Sequence, residues 1–418
     1  MEKLARQLTL RYSFIQASYW ICQCAINSFA AIFLQSKHFN NTQIGVVLAL
    51  AAILSIVLQP VIASFADKAK TVSLRTIILL LMGVVFLLTI LLYVLPDTFA
   101  LIAVIFVVVN AIQFTLNPLY NSLALEYMNK GVPMNYGLAR GMGSITFAVI
   151  SSSLGYIVSH FGAEVILPVF LIGYSLSILA TYVFKVTIPE KLLGSIPKRY
   201  DDEEESSADT GAAEPTGIFT FFLKYKMFVL FLLGVAMLFY SHSLINTYLI
   251  NIMENVGGNS SDMGISLSIA AALELPTMAL FIYIVRKIKC SKLLKIGAFF
   301  FLVKALVTWI APNVFMIHFS QAFQLFAFAL FTPASIYYVN DLVSEKDRVK
   351  GQSLLGAAYL GIAGTVANVT GGRMLDTFGV SEMLLLGTVV TAVGVVLICV
   401  SVAEKKPVSS TILKVETD

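Results

Sequence analysis

Charge is what this chain has least of: Asp, Glu, Lys and Arg together make up 12% of its 418 residues, against 58% hydrophobic residues. That ratio, with a mean hydropathy of +0.85, excludes a soluble core of ordinary size and describes an integral membrane protein. Cysteine is scarce too. Cys22 and Cys24 lie inside the first apolar segment while Cys290 and Cys399 stand far apart, so the four make neither a disulfide framework nor a metal-ligand spacing and read as packing residues. The chain also lacks a phosphate-cradling loop, a zinc spacing and a nucleophile with a partnered base, so neither an enzyme nor a cofactor or metal site is expected. Nucleic-acid motifs are missing, and the net charge of +4 is assigned to topology and lipid head groups rather than to nucleic acid. No small-residue cleavage signature follows the first apolar segment, which is therefore a retained helix.

What is present is a series of apolar stretches long enough to cross a bilayer. They fall near 12–36, 43–66, 74–95, 98–125, 136–159 and 164–186, and then near 223–250, 261–286, 292–311, 314–341, 350–372 and 379–402. The interval between the two sets holds Asp201, Asp202, Glu203, Glu204 and Glu205 followed by Ser, Thr, Gly, Ala and Pro, a composition that cannot bury enough apolar surface to fold. The expected organisation is a six-helix bundle over 1–186, an acidic cytoplasmic linker over 187–222, a second bundle over 223–403 and a cytoplasmic tail over 404–418. Basic residues cluster at Lys3, Arg6 and Arg11, at Lys68, Lys70 and Arg75, at Arg286 to Lys295 and at Lys346 to Lys350, all on one side. Both termini are therefore expected in the cytoplasm.

The two sets repeat. Gly155, Phe161 and Gly162 in the fifth stretch correspond to Gly372, Phe378 and Gly379 in the eleventh at an offset of 217 residues, and Pro118 corresponds to Pro333 at an offset of 215. Each proline falls in the fourth stretch of its half, where it bends a helix. An all-α fold of twelve transmembrane helices in two parallel six-helix repeats, with the solute site at the midplane between them, is the expectation.

Specific motifs narrow this. Gln59, Pro60, Asp67 and Lys68 in QPVIASFADKAK, and Tyr136, Gly137, Arg140, Gly143 and Phe147 in YGLARGMGSITF, resemble the major facilitator superfamily and, within it, the lactose permease-like oligosaccharide and proton symporters. The resemblance covers nearly the whole chain. It implies a gating role for Asp67 and Lys68, sugar hydroxyl binding by Arg140 with an acid on span four, and stacking of the sugar ring on Phe147. Arg140 and Phe147 lie seven residues apart, about 10.5 Å and two turns, so they share a helix face. The chain departs from the group in carrying Phe147 where the pattern has Trp and Leu138 where it has a second arginine, which puts galactoside selectivity in doubt. It also has Gln321, Gln324 and Ala327 where span ten of the group carries a histidine and a glutamate.

Charges inside apolar stretches are costly and mark candidate sites. Glu274 lies about 18 Å from Arg286 along its helix and Lys304 about 14 Å from Lys295, at 1.5 Å per residue, so the two sit at similar depth on consecutive antiparallel spans and can meet. The resemblance makes them a coupling pair; a static ion pair is the structural alternative. Glu126 is either Arg140's partner across the hairpin or a surface acid beside Lys130. Trp20, Gln23 and Asn27 recur at three- and four-residue spacing and place an aromatic and two amides on one face, for solute or for interhelical hydrogen bonds. Tyr240, His242 and Asn246 are candidate polar lining residues of span seven, with His242 able to titrate near neutral pH.

The expected function is proton-coupled symport of a sugar, oligosaccharide or similar hydroxylated solute by alternating access at the plasma membrane, with sodium as the alternative ion. Arg140, Phe147, Glu126, Trp20, Gln23, Asn27, His242, Asn246 and Gln324 are the expected solute residues and Glu274 and Lys304 the expected coupling residues. The expected partners are the solute, protons and the lipid bilayer, and a monomer is the expected form. Export of drugs or amphipathic metabolites, and a non-transporting sensor, are the competing functions.

Overall fold

The computed structural model describes residues 2–68, 72–94, 98–129, 134–185 and 218–402. Long apolar helices dominate it. Span one runs from Glu2–Gln23 through a π turn at Cys24–Ser28 into Ala30–Ser36; spans two to six are Asn41–Lys68, Leu74–Val94, Phe99–Asn129, Tyr136–Phe161 and Ile166–Val183. After a short helix at Ile218–Lys224, span seven comprises Lys226–Thr247 and Leu249–Asn255, span eight is Ser260–Lys287 and span nine is Cys290–Trp309. Span ten comprises Val314–Ala322 and Phe328–Leu342, span eleven Arg348–Gly356 and Gly364–Thr377 with a π segment between them, and span twelve Val380–Ser401.

Among the described residues, ten of these helices are long and apolar enough to cross a membrane by length and composition, and an eleventh if the two pieces of span one, bent by 50°, count together. The expected twelfth, Cys290–Trp309, falls short because it carries three lysines, Lys292, Lys295 and Lys304. The expected acidic linker lies outside the described residues, except that Ile218–Lys224 is helical and runs through its expected end at 222. The expected tail also lies outside them.

The repeat is visible in the backbone. Gly162 and Gly379 both adopt positive φ, 82° and 95°, a conformation that favours glycine. Span one breaks at Phe29 (φ −100°, ψ 11°) and span seven at Tyr248 (φ −105°, ψ 24°), an offset of 219 residues. Prolines sit inside span two (Pro60) and span eight (Pro276), and inside span four (Pro118) and span ten (Pro333).

The halves meet through small residues. A Cβ on Gly155 would approach the Cα of Gly264 to 2.9 Å, and a Cβ on Gly372 would meet the Asn41 carbonyl, so spans five and eight, and eleven and two, touch backbone to backbone. Every hydrogen bond between the halves among the described residues lies at this end, away from Glu2 and Ser401. Gln35 donates to Asn251 (3.2 Å), Ser260 donates to the Gly155 carbonyl (3.3 Å), and Asn41 and Thr42 donate to Asp376. Toward the end that carries the chain termini, the described halves exchange no hydrogen bond. Aliphatic and aromatic side chains project outward along the spans, among them Leu80, Leu87, Val149, Leu179 and Val396, as an apolar solvent demands.

Candidate functional site

The amino-terminal wall is built on span one and span five. A Cβ on Gly143 would clash with the Trp20 indole, so glycine there lets the ring lie against span five. With Trp20 so placed, the Arg140 guanidinium sits over it at 5.0 Å from the ring centroid. Phe147 meets the same indole edge-on at 5.8 Å, so the two rings form one aromatic surface beside Arg140. Tyr19 crosses Trp20 edge-on and donates to Gln23 Oε1 (3.3 Å) and to the Gln113 carbonyl (3.3 Å).

One expectation is corrected here. Among the described residues Glu126, exposed near the end of span four, makes no ion pair with Arg140. Asn27 lies in the π turn Cys24–Ser28 and, like Trp20 and Gln23, is half-buried. Its Nδ2, like Trp20 Nε1, is buried without a hydrogen-bond partner.

Sequence reasoning missed an amide row on span four: Asn110, Gln113, Asn117 and Asn121 recur at three- and four-residue spacing. Gln113 is fully buried with neither amide atom partnered, and Asn110 Oδ1 and Asn117 Oδ1 are also unpartnered. Asn121 accepts from Tyr12 (3.2 Å) and Tyr136 (2.9 Å), and Gln16 donates to Tyr12 (2.7 Å). The period that marks this row is as plain in the sequence as that of Trp20, Gln23 and Asn27, but uncharged amides draw less notice than ionised groups.

The carboxy-terminal wall centres on Lys304, which is 2% exposed. Its Nζ donates to Gln324 Oε1 at 2.7 Å, and Gln324 Nε2 donates to Glu274 Oε1 at 2.8 Å. Glu274 and Lys304 do lie at matching depth, but they meet through an amide and not directly. Gln324, expected to touch solute, is the bridge. Span ten makes this possible because it breaks: a 3₁₀ turn over Phe323–Leu325 lies between its two helical pieces and turns Gln324 toward spans eight and nine. Thr308 adds a second link between spans nine and ten by donating to Ser320 (2.9 Å).

His242 stacks on Phe328 (centroids 5.1 Å, 18° between planes) and meets Phe301 edge-on. Asn246 Nδ2 donates to its Nε2 at 3.0 Å, which puts the ring proton on Nδ1, a buried atom without a partner. Tyr240 joins Thr370 of span eleven (2.8 Å) and so holds two helices together. Lys68 is exposed at the end of span two; the side chain of Asp67 lies outside the described residues. A groove of about 480 Å³ on the seam of spans five and eight, lined by Ser152, Ser153, Tyr156, Ile157, Ser261 and Ile265, contains none of the candidate residues.

This arrangement, a polar wall on each of two repeated halves, can be compared with known proteins. Residues 14–404 match the MFS_1 like family. The maltose permease of Geobacillus stearothermophilus is 23% identical over 373 residues, 88% of each chain. The uncharacterized transporter YwbF of Bacillus subtilis (strain 168) is 22% identical over 361 residues, 86% of this chain and 84% of that one. Among solved structures, a mutant of the nucleoside transporter NupG superposes with a TM-score of 0.74 at 15% identity, covering 94% of this chain and 98% of that one. A bacterial homolog of the human lysosomal transporter Spinster, in an inward-facing and occupied conformation, gives 0.67 at 15% identity, covering 95% and 96%. The chain belongs to the MFS_1 like family and has the major facilitator fold: it is a multi-pass membrane transporter and not an enzyme.

Proposed function

We propose that the protein is a proton-coupled symporter of a sugar, oligosaccharide or similarly hydroxylated solute. The observation that carries this reading is the chain from Lys304 through Gln324 to Glu274, a carboxylate whose only protein partner in that chain is a neutral amide. Protonation of Glu274 removes one charge from the wall, and the carbonyl oxygen of the neutral carboxyl can still accept from Gln324 Nε2 while Gln324 Oε1 accepts from Lys304. Lys304 sets the field in which that proton is held. Arg140, Trp20 and the span-four amides on the facing wall offer donors, acceptors and a ring, the groups that hydroxylated solutes need. The likeness to a maltose permease over most of both chains agrees with this choice.

In the same reading both termini and the interval around 201–205 are cytoplasmic in the plasma membrane, with the bundles over 1–186 and 223–403 rocking about a site between them. The contacts at the far end then belong to a state closed to the outside, and Asp67 and Lys68 form part of the gate that closes the other end. The protein acts as a monomer.

Uptake into proteoliposomes under an imposed proton gradient tests this. Glu274→Gln is expected to abolish uphill accumulation while leaving counterflow exchange of preloaded solute. Sugar entry with no change of internal pH in the wild type, or accumulation unchanged in the variant, would refute the coupling scheme.

A further inference from the structure

One titratable side chain on the helices of the carboxy-terminal wall takes no part in the site described above. His318 lies on Val314–Ala322, the first piece of span ten, and its Nδ1 is 2.8 Å from the Ser266 hydroxyl of span eight. Ser266 is fully buried and His318 is half-buried. A serine hydroxyl donates to a neutral imidazole nitrogen and accepts from a protonated one, so the contact survives in both charge states of the ring. Among the described residues Nε2, the second ring nitrogen, has no protein partner.

Spans eight and ten are thus joined at two levels. Gln324 and Glu274 make the inner contact. His318 and Ser266 make a second, about 9 Å away along span ten and about 12 Å along span eight at the helical rise, toward the end where the halves touch. Between the two levels stands Gln321, three residues from both His318 and Gln324. It is 1% exposed, and its Nε2 is buried without a partner. A buried amide donor with no protein acceptor is satisfied by water. The elements packed against Val314–Ala322 are spans eight and nine and the 3₁₀ turn that follows it. Toward this line they present Asp262, whose carboxylate acts on the His318 ring, with Glu274 on span eight and Lys304 on span nine. Neither Val314–Ala322 nor the 3₁₀ turn carries another ionisable group.

Resting on the symport reading above, we infer that His318 is the residue that loads the coupling proton from the outer side. Its Nε2 takes one proton from outer water and the ring becomes an imidazolium. The imidazolium then gives up one proton, through water held at Gln321 Nε2, to a carboxylate oxygen of Glu274. The ring ends neutral, an O–H bond has formed on Glu274, and no other group changes charge. Because the two levels do not touch, loading of His318 and protonation of Glu274 are separate steps, and the proton enters within the carboxy-terminal half rather than beside the solute.

Right-side-out membrane vesicles test this, with the outer pH varied from about 6 to about 8, across the ordinary histidine range. The probes are radiolabelled maltose, sucrose, lactose and glucose. His318→Gln can still hydrogen-bond to Ser266 but cannot take up a proton. It should lower the initial rate of uphill uptake on the order of tenfold and flatten its dependence on outer pH, while counterflow exchange of preloaded solute stays at the wild-type level. Ser266→Ala, which removes the tie and keeps the ring, should retain the dependence on outer pH. Uptake by His318→Gln with wild-type rate and pH dependence overturns the inference, and leaves the symport reading standing where Glu274→Gln still abolishes accumulation. Loss of counterflow together with uptake in a monodisperse His318→Gln protein, or impairment of Ser266→Ala alone, also overturns it, because either marks the pair as a tie between two helices. Uptake of none of the four sugars by the wild type, or uptake with no proton movement, overturns both readings.

Discussion

Asp376 offers the sharpest test of how the described end of the molecule is held shut. Its carboxylate comes from the end of span eleven and receives four hydrogen bonds from the start of span two in the other half. Oδ1 accepts from the Asn41 backbone N–H (3.2 Å) and Nδ2 (2.8 Å), and Oδ2 from the Thr42 backbone N–H (2.7 Å) and Oγ1 (2.7 Å). An anion therefore caps the first turn of a helix from which it is remote in sequence. Asp376→Asn presents an NH₂ to two of those donors and removes the charge from the helix N-terminus. A capping side chain contributes about 0.5–2 kcal/mol and the dipole term about 0.3–1 kcal/mol. Because Asp376 is exposed, water softens both, leaving about 1–2 kcal/mol. That corresponds to a shift of roughly 5- to 30-fold between the closed and open forms of this end, so an open population of about 2% would rise to roughly 9–38%. Spin labels at Ser36 and Phe378, both exposed and on opposite halves, in a Cys290→Ala, Cys399→Ala background, would report it as growth of the longer-distance population in pulsed EPR. Asp376→Glu should recover part of the closed form. A distance distribution unchanged in Asp376→Asn would refute the claim that this carboxylate holds the halves together.

Two further outcomes follow from contacts elsewhere. Gly264→Val places a Cβ against the Ser151 carbonyl oxygen on span five, so the same spin-label pair should show the longer distance dominating and uptake should fall; a variant that still closes would show that the helices can shift around the side chain. Asp347→Ala removes a fully buried carboxylate that accepts from Tyr225 (3.1 Å), Ser344 (2.9 Å) and Lys224 (3.4 Å), and loss of those contacts should cost about 2–4 kcal/mol. Thermal unfolding in detergent should show a Tm lowered by several degrees, with Asp347→Asn intermediate; an unchanged Tm would mean that the Ile218–Lys224 helix adds nothing to the packing of the second half.

The fold was legible because lipid imposes strong rules on sequence. Apolar length locates the spans, and the glycines at 155, 162, 372 and 379 recur since both halves solve the same two problems, a tight backbone crossing and a turn at positive φ. The Pro60 and Pro276 pair, 216 residues apart, carries the same message less conspicuously. The site was less legible. Depth along a helix follows from counting, which is why Glu274 and Lys304 match in level. Rotation does not follow when the helix is irregular: the 3₁₀ turn that carries Gln324 between them has no signature in hydropathy. Counting across the hairpin likewise does not fix which neighbour an exposed carboxylate such as Glu126 takes.

The breaks at Phe29 and Tyr248 bear on how such a molecule could be tuned. Each divides a long span into a main shaft and a short outer piece, Ala30–Ser36 in one half and Leu249–Asn255 in the other. Gln35 and Asn251, which hydrogen-bond to each other, sit on those two pieces. Phe33 and Leu34 on one piece and Leu249, Ile252 and Met253 on the other are buried in the core, so neither piece moves without unpacking side chains: the two act as a rigid clasp, and opening this end draws on the same buried contacts that resist heat.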